Sequence, residues 1–309
     1  MTVGRGLVEA QSARFAVLDP LLPPGVEPPD GDVITAALPN GSRVAGVVTH
    51  HLHLPGSIVR LWSASEVWEL HPLVGGAGLR AMDALLRTWR QRMDRVGDAG
   101  PDSAAVVTWP SRDAEGTRAL LDHGLVPLST IAVRRSAPPA GGPAPTLTIR
   151  RATPADLDAV VDLALAELQY SSLVGATVLR PEAAELKRTT LLERLRISAP
   201  MWLAERDGIA VGLAECALTD AEPGTWAGGR LPTGRWGYVN CVSVLPGARG
   251  AGIGQQLMAF AHRELHRMGA AGTYLYYNQT NPLSSVFWTR QGYRPLWTVW
   301  EVRPASALR

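Results

Sequence analysis

Two short segments of this 309-residue chain combine residue types at spacings that can do chemistry. The first runs Val242-Ser243-Val244-Leu245-Pro246-Gly247-Ala248-Arg249-Gly250-Ala251-Gly252-Ile253-Gly254. It reads as a β-branched strand that stops at a proline and turns through glycines into an apolar helical pattern. A helix begun this way leaves several N–H groups unpaired beside the positive end of its dipole, aimed at one spot. Gly250, Gly252 and Gly254 remove side chains that would hold an anion away from those donors. Arg249 adds a guanidinium to the same anion. A plain glycine-rich turn would be written with the same letters. It is not a Walker loop, because no Gly-Lys-Ser/Thr follows. The second segment is Asn281-Pro282-Leu283-Ser284-Ser285-Val286-Phe287-Trp288-Thr289-Arg290-Gln291-Gly292-Tyr293.

The elements that must position these segments follow from periodicity and punctuation. Thr146 to Arg150 is expected as a short strand. Thr153 caps a helix with Pro154 at its first position, and apolar residues at helical spacing carry it to about Gln169. Pro181 to Ile197 is a second helix. Met201 to Glu205 and Ala210 to Leu218 are strands separated by the turn Arg206-Asp207-Gly208. A Gly/Pro/Trp-rich excursion from Asp220 to Arg235 leads into a strand from Trp236 to Leu245. Then come a helix from about Gly252 to Met268, a strand from Thr273 to Tyr277, a helix from Pro282 to Gln291 and final strands around Arg294 to Val302. The order is β-α-α-β-β-β-α-β-α-β, with helices flanking a mixed sheet.

With both segments in place, the second half resembles the GNAT superfamily of N-acetyltransferases. Arg249-x-x-Gly252-x-Gly254 after a Val-x-Val-x-Pro strand looks like that superfamily's pyrophosphate loop. The Asn281, Ser284, aromatic pair and Gly-aromatic sequence is similar to its following helix, and the resemblance covers roughly residues 146 to 304. It implies acetyl-CoA as co-substrate. Val242, Ser243 and Val244 would meet the pantetheine arm, with Val242 and Val244 offering backbone groups. Arg249, Gly250, Ala251, Gly252, Ile253 and Gly254 would cradle the pyrophosphate, and Asn281, Ser284 and Trp288 would lie along the pantetheine, the sulfur or the acyl group. The fourth and fifth strands, near Val239 and Tyr276, would splay to admit the thioester. An amine would then attack the carbonyl directly, with a backbone N–H near Val242 stabilising the oxyanion.

The chain departs from that pattern where many members carry a tyrosine read as general acid. Trp288 stands there, and an indole N–H is far too weak an acid for the task. The thiolate leaves unassisted, or Ser284, Tyr277 or a water serves; Trp288 itself suits the core as well as the acyl pocket. Glu215 and Tyr238 are the candidate bases, each with a structural role as the competing reading. His262 is expected on a solvated helix face. The acceptor would be a small-molecule amine, with Tyr170, Trp226 and Trp236 lining its cleft. A protein amine remains an alternative acceptor, and a catalytically inactive acyl-CoA-binding or interaction module remains an alternative function.

The first half reads as a degenerate copy. Leu70-His-Pro-Leu-Val-Gly75-Gly-Ala-Gly78-Leu-Arg80 aligns with Val244 to Gly254 at an offset of 174 residues (252 − 78), and Asp113-x-x-Gly116 echoes the Asn281 segment. Gly75 stands in place of Arg249, Arg80 in place of Gly254 and Asp113 in place of Asn281, so weak or absent acyl-CoA binding is expected there. The fold class is therefore α/β with mixed sheets, as two GNAT-like domains. Residues 1–136 form the degenerate one, 137–145 a Pro/Gly/Ala linker, and 146–309 the acetyltransferase domain. The composition is globular, with 46% apolar and 19% charged residues. A net charge of +2 gives no case for nucleic acid or an anionic membrane. No apolar run reaches transmembrane length and Met1 to Gln11 lacks a signal-peptide core, so a cytoplasmic protein is expected. Arg-rich, Ala/Gly/Pro-rich usage suggests a bacterial source. Cys216 and Cys241 read as buried thiols, and His51 and His53 lack a third ligand, so no metal is expected.

Overall fold

The computed structural model describes residues 4–97, 99–135, 147–175 and 177–309. The linker expected over residues 137–145 lies outside them. In the second half the expected order is observed: β6 (Thr148–Arg151), α4 (Leu157–Leu173), α5 (Ala183–Arg196), β7 (Met201–Arg206), β8 (Ile209–Ala221), β9 (Gly234–Val244), α6 (Ile253–Arg267), β10 (Gly272–Tyr277), α7 (Pro282–Arg290) and β11 (Arg294–Val302). Thr153 and Asp156 close a reciprocal capping box before α4. Asp207 and Gly208, both at positive φ, turn β7 into β8. The first half is shorter: α1 (Arg5–Leu18), β1 (Asp32–Ala37), β2 (Arg43–Leu52), β3 (Glu66–Leu73), α2 (Gly78–Val96), β4 (Ser103–Pro110), α3 (Ala114–Asp122) and β5 (Val126–Arg134). One helix stands before its sheet where the second half has a strand and two helices.

All eleven strands join in one sheet, ordered β1-β2-β3-β4-β11-β5-β10-β9-β8-β7-β6. Pairing is parallel between β3 and β4 and between β9 and β10, and antiparallel elsewhere. The final strands expected around Arg294 to Val302 are a single strand, and its neighbours come from the other half. The halves exchange their last strands: β11 pairs with β4 and β5 with β10, while β5 and β11 lie side by side. The exchange is regular. Trp109 faces Thr298, and Tyr277 faces Thr130, so one shift of 168 residues (277 − 109 and 298 − 130) turns one pair into the other. A two-fold relation between antiparallel strands keeps like faces together. Both halves therefore turn equivalent surfaces to the same side of the sheet. Register also corrects the sequence alignment: β3 ends its pairing with β4 at Leu70↔Val107, and β9 with β10 at Val239↔Leu275, so Leu70 is the counterpart of Val239. The gapless offset of 174 fails within the strands because the turn between β3 and α2 is shorter than its counterpart.

A second junction joins the segment between β2 and β3 to α4 and α5. Leu61 is buried with Leu168 and Ala183, and Lys187 sits 4.6 Å from the centre of the Trp62 ring. Arg180 bonds Asp102 at 2.9 Å, and Ser65 donates to the same carboxylate. Burial opposes ionisation of Asp102, but these hydrogen bonds prevail and hold its pKa at about 2, below the ordinary 3.8. A lowered folded-state value means this junction stabilises above pH ~4 and weakens as pH falls toward 2. The melting temperature of the intact chain is expected to fall more steeply over that interval than that of Asp102→Asn, as scanning calorimetry would read.

Candidate functional site

The glycine turn adopts the geometry its residues require. Gly250 and Gly252 have φ of 83° and 73°, the left-handed region that favours glycine. Gly252 is the N-cap of α6 and no side chain caps that helix. Among the described residues no backbone acceptor engages the N–H groups of Gly250, Ala251, Gly252, Ile253 or Gly254. The glycine pattern thus presents open donors at a helix start, the arrangement that holds a diphosphate. Ile253 contributes only its backbone, because its side chain is buried against Gly212. Gly254 lets the Phe287 ring of α7 approach, and a Cβ there would sit 3.4 Å from it.

Beside this turn the sheet opens. β9 carries a bulge at Asn240, where Glu215 pairs with Cys241 but Cys216 with Val239. Past Val239 and Leu275 the strands β9 and β10 no longer pair. The splay expected near Val239 and Tyr276 is present. Leu245 N–H donates to Val211, so by alternation Ser243 and Cys241 direct their peptide groups at β8. Val242 and Val244 direct theirs into the opening. Val244 O already accepts from Arg249 Nε at 3.1 Å, which leaves the Val242 peptide facing the gap. Ser243 differs from its expected role: its peptide is committed to the sheet, and its buried Oγ has no partner.

Other expected residues are distributed unevenly. Asn281 caps α7, its Oδ1 accepting from Leu283 N and Ser284 N, and Ser284 sits in that helix's first turn. Trp288 is 8% exposed and packs edge-on against Phe287 and Tyr293, so it belongs to the core. Trp236 is 1% exposed and donates its indole N–H to Pro232 O; it cannot line a cleft. Tyr170 lies beside the glycine turn, its ring 5.2 Å from the Arg249 guanidinium. His262 is not solvated: it is buried, bonds Tyr293 Oη at 2.9 Å, and burial depresses its pKa to about 3. The apolar period around it marked α6 correctly, but its rigid partner Tyr293 lies 31 residues away.

On the face carrying α4 and α5, Glu215 is 2% exposed and lies 3.0 Å from Arg194 Nε, with its Oε2 unpartnered. Tyr238 stacks on Tyr274 at 4.9 Å, and burial raises its hydroxyl pKa, so it stays a protonated phenol with no proton-accepting phenolate. Glu167 of α4 was not anticipated, since alone in the sequence it is one acidic residue in an amphipathic helix. It accepts from Ser171 Oγ at 2.5 Å, and burial, reinforced by Glu215, raises its pKa. It is also the leading charge felt by Cys241, next to the bulge. Trp226, 51% exposed, stacks on Tyr276 at 6.3 Å. Tyr276 keeps 38% of its surface exposed, while burial of its hydroxyl end raises that group's pKa.

The equivalent opening in the first half is filled. Gln11 of α1 donates its Nε2 to Pro72 O and accepts from Val74 N with its Oε1. These peptide groups stand where those of Val242 and Val244 stand. A Cβ at Gly75 would meet Ala10 and Leu7, and Phe15 packs edge-on against Trp109. Asp113 caps α3 and receives Arg14 and the Trp109 indole. Its charge, expected to repel a cofactor, is spent on holding α1 in place.

The family model described as acetyltransferase (GNAT) domain matches residues 198–295. No curated protein sequence matches the chain. A GCN5-related N-acetyltransferase from Sphaerobacter thermophilus shares its fold at TM-score 0.56 and 16% identity, over 88% of this chain and 81% of that one. An acetyltransferase of the GNAT family from Colwellia psychrerythraea does so at TM-score 0.53 and 13% identity, over 98% of each chain. Both alignments take in the two halves. Among the described residues no helix is long and apolar enough to cross a membrane and no cluster of metal-ligating side chains occurs. The strand, glycine turn and helix at 242–254 lie inside the matched segment, and residues 198–295 are a GNAT acetyltransferase domain.

Proposed function

We propose that this chain transfers an acetyl group from acetyl-CoA to the amine of a small molecule, using the opening of its second half. The observation that carries the reading is the free Val242 peptide facing a splayed sheet beside the open donors of residues 250–254. The diphosphate rests on that turn, and Val242 N–H meets the thioester oxygen as it gains negative charge. The amine nitrogen forms a bond to the carbonyl carbon, the C–S bond breaks, and the thiolate leaves with the electron pair. The ammonium proton passes to Glu167, whose pKa burial and the neighbouring Glu215 raise, so that it takes a proton more readily than an ordinary carboxylate. Trp288 gives no proton, so the thiolate departs with solvent or Ser284 as its partner. α1 closes the first half to cofactor, and calorimetric titration is expected to give one equivalent of acetyl-CoA per chain. Thiol release across a panel of amines tests the activity; cofactor binding without turnover on any amine would favour a binding module. Glu167→Gln is expected to lower kcat/KM at neutral pH by about 100-fold and to abolish its acid limb.

A further inference from the structure

The excursion between β8 and β9 is a built loop. Thr225 Oγ1 accepts from Glu222 N and Gly228 N and donates to Glu222 O, and Arg230 N and Leu231 N both donate to Ala227 O. A Cβ at Gly228 would collide with the Glu222 backbone, which explains the glycine. Ala227 and Leu231 are buried, and the Trp297 indole donates to Arg230 O at 2.7 Å. This framework fixes Arg230, whose guanidinium lies 5.2 Å from the centre of the Trp297 ring.

Arg230 is under-used. Its side chain makes one long hydrogen bond, 3.4 Å to Gly229 O in its own loop, and no ion pair among the described residues. Desolvation lowers its pKa, while Glu69 and Tyr276 are the charges it feels. Tyr276 is the first residue of β10 beyond the last pairing with β9, so the guanidinium stands beside the mouth of the splay on the Tyr238 side. A desolvated guanidinium held over an indole, with most donors open, is prepared for a planar oxyanion. Glu69 of β3 shares this space: it accepts from Thr108 at 3.4 Å, lies 3.9 Å from His71 Nε2, and makes no ion pair with Arg230. That carboxylate beside the guanidinium disfavours a dianion such as a phosphate ester.

We infer that the acceptor is an amine carrying a carboxylate, an amino acid in chemical class, with Arg230 holding the carboxylate while the amine reaches the opening at Val242. Trp226, Tyr238 and Tyr276 form the aromatic surroundings that would take the side chain of that substrate. The inference rests on the acetyl-transfer reading, and the two fail differently. The test compares an aromatic α-amino acid with the amine it gives on loss of the carboxylate, in the full-length chain, by thiol release. The wild type is expected to favour the amino acid by about 100-fold in kcat/KM, mainly through KM. Arg230→Gln is expected to reduce that ratio to near one, and Arg230→Lys to restore part of it. Equal use of the two acceptors by the wild type, a result independent of any variant's folding, overturns the inference and leaves acetyl transfer standing. Absence of both acetyl-CoA binding and turnover overturns the activity reading itself. If cofactor binds without turnover, calorimetric titration of the amino acid into the CoA complex decides: no binding, or equal binding to Arg230→Gln, overturns the inference.

Discussion

Replacing Gly252 with valine is expected to weaken acetyl-CoA binding by at least about 100-fold while leaving the fold intact. At φ 73° a β-branched residue is strained, at a cost of about 1–2 kcal/mol, and the turn relaxes by rotating its peptides. Two or three N–H groups then lose their aim at the diphosphate, each a charge-assisted bond worth about 1.5–3 kcal/mol. Since each 1.4 kcal/mol is about tenfold, the combined loss reaches two or more orders of magnitude. The fold is spared because a Cβ at Gly252 meets only Gln255 Oε1, at 3.9 Å. Calorimetric titration with acetyl-CoA measures the affinity and a thermal melt confirms folding. A folded variant that binds as tightly as the wild type would remove the basis for placing the diphosphate on this turn.

Cutting the chain within residues 136–146, at an inserted protease site, is expected to leave a single particle of unchanged mass on gel filtration. The exchanged strands account for this: β11 lies between β4 and β5, and β5 between β11 and β10, so neither half keeps a complete sheet when removed. Ile131, Val133, Trp297 and Trp300 would be exposed along bare strand edges. Residues 147–309 expressed alone are therefore expected to aggregate or to lack a cooperative melting transition. Separation of the cut halves under native conditions would contradict the prediction.

Much of the second half was legible because its signals are local. Thr153-Pro154 opens a helix, Asp207-Gly208 makes a hairpin turn, and Pro246 followed by spaced glycines ends a strand and starts a helix. The glycine turn before α6 was readable for the same reason. What escaped depends on distant partners. β5 and β11 both read as ordinary strands of largely apolar residues, and nothing within either specifies whose edge it will join. Trp236 and Trp226 are the same residue type ten positions apart, one buried with its N–H on Pro232 and the other on the surface. Gln11 is one glutamine in an unremarkable helix until the fold lays it along Pro72 and Val74. Glu167 and Arg230 acquire meaning only from what surrounds them.

The interleaving of β5 and β11 also imposes an order in time. Residues 126–134 leave the ribosome long before residues 294–302, yet they require that later segment as a neighbour. During synthesis the early half must wait with the edges of β4 and β5 unsatisfied, and those edges carry the sequence separations that slow folding. The nascent chain is thus committed to remain incomplete until its final strand emerges and closes both halves at once.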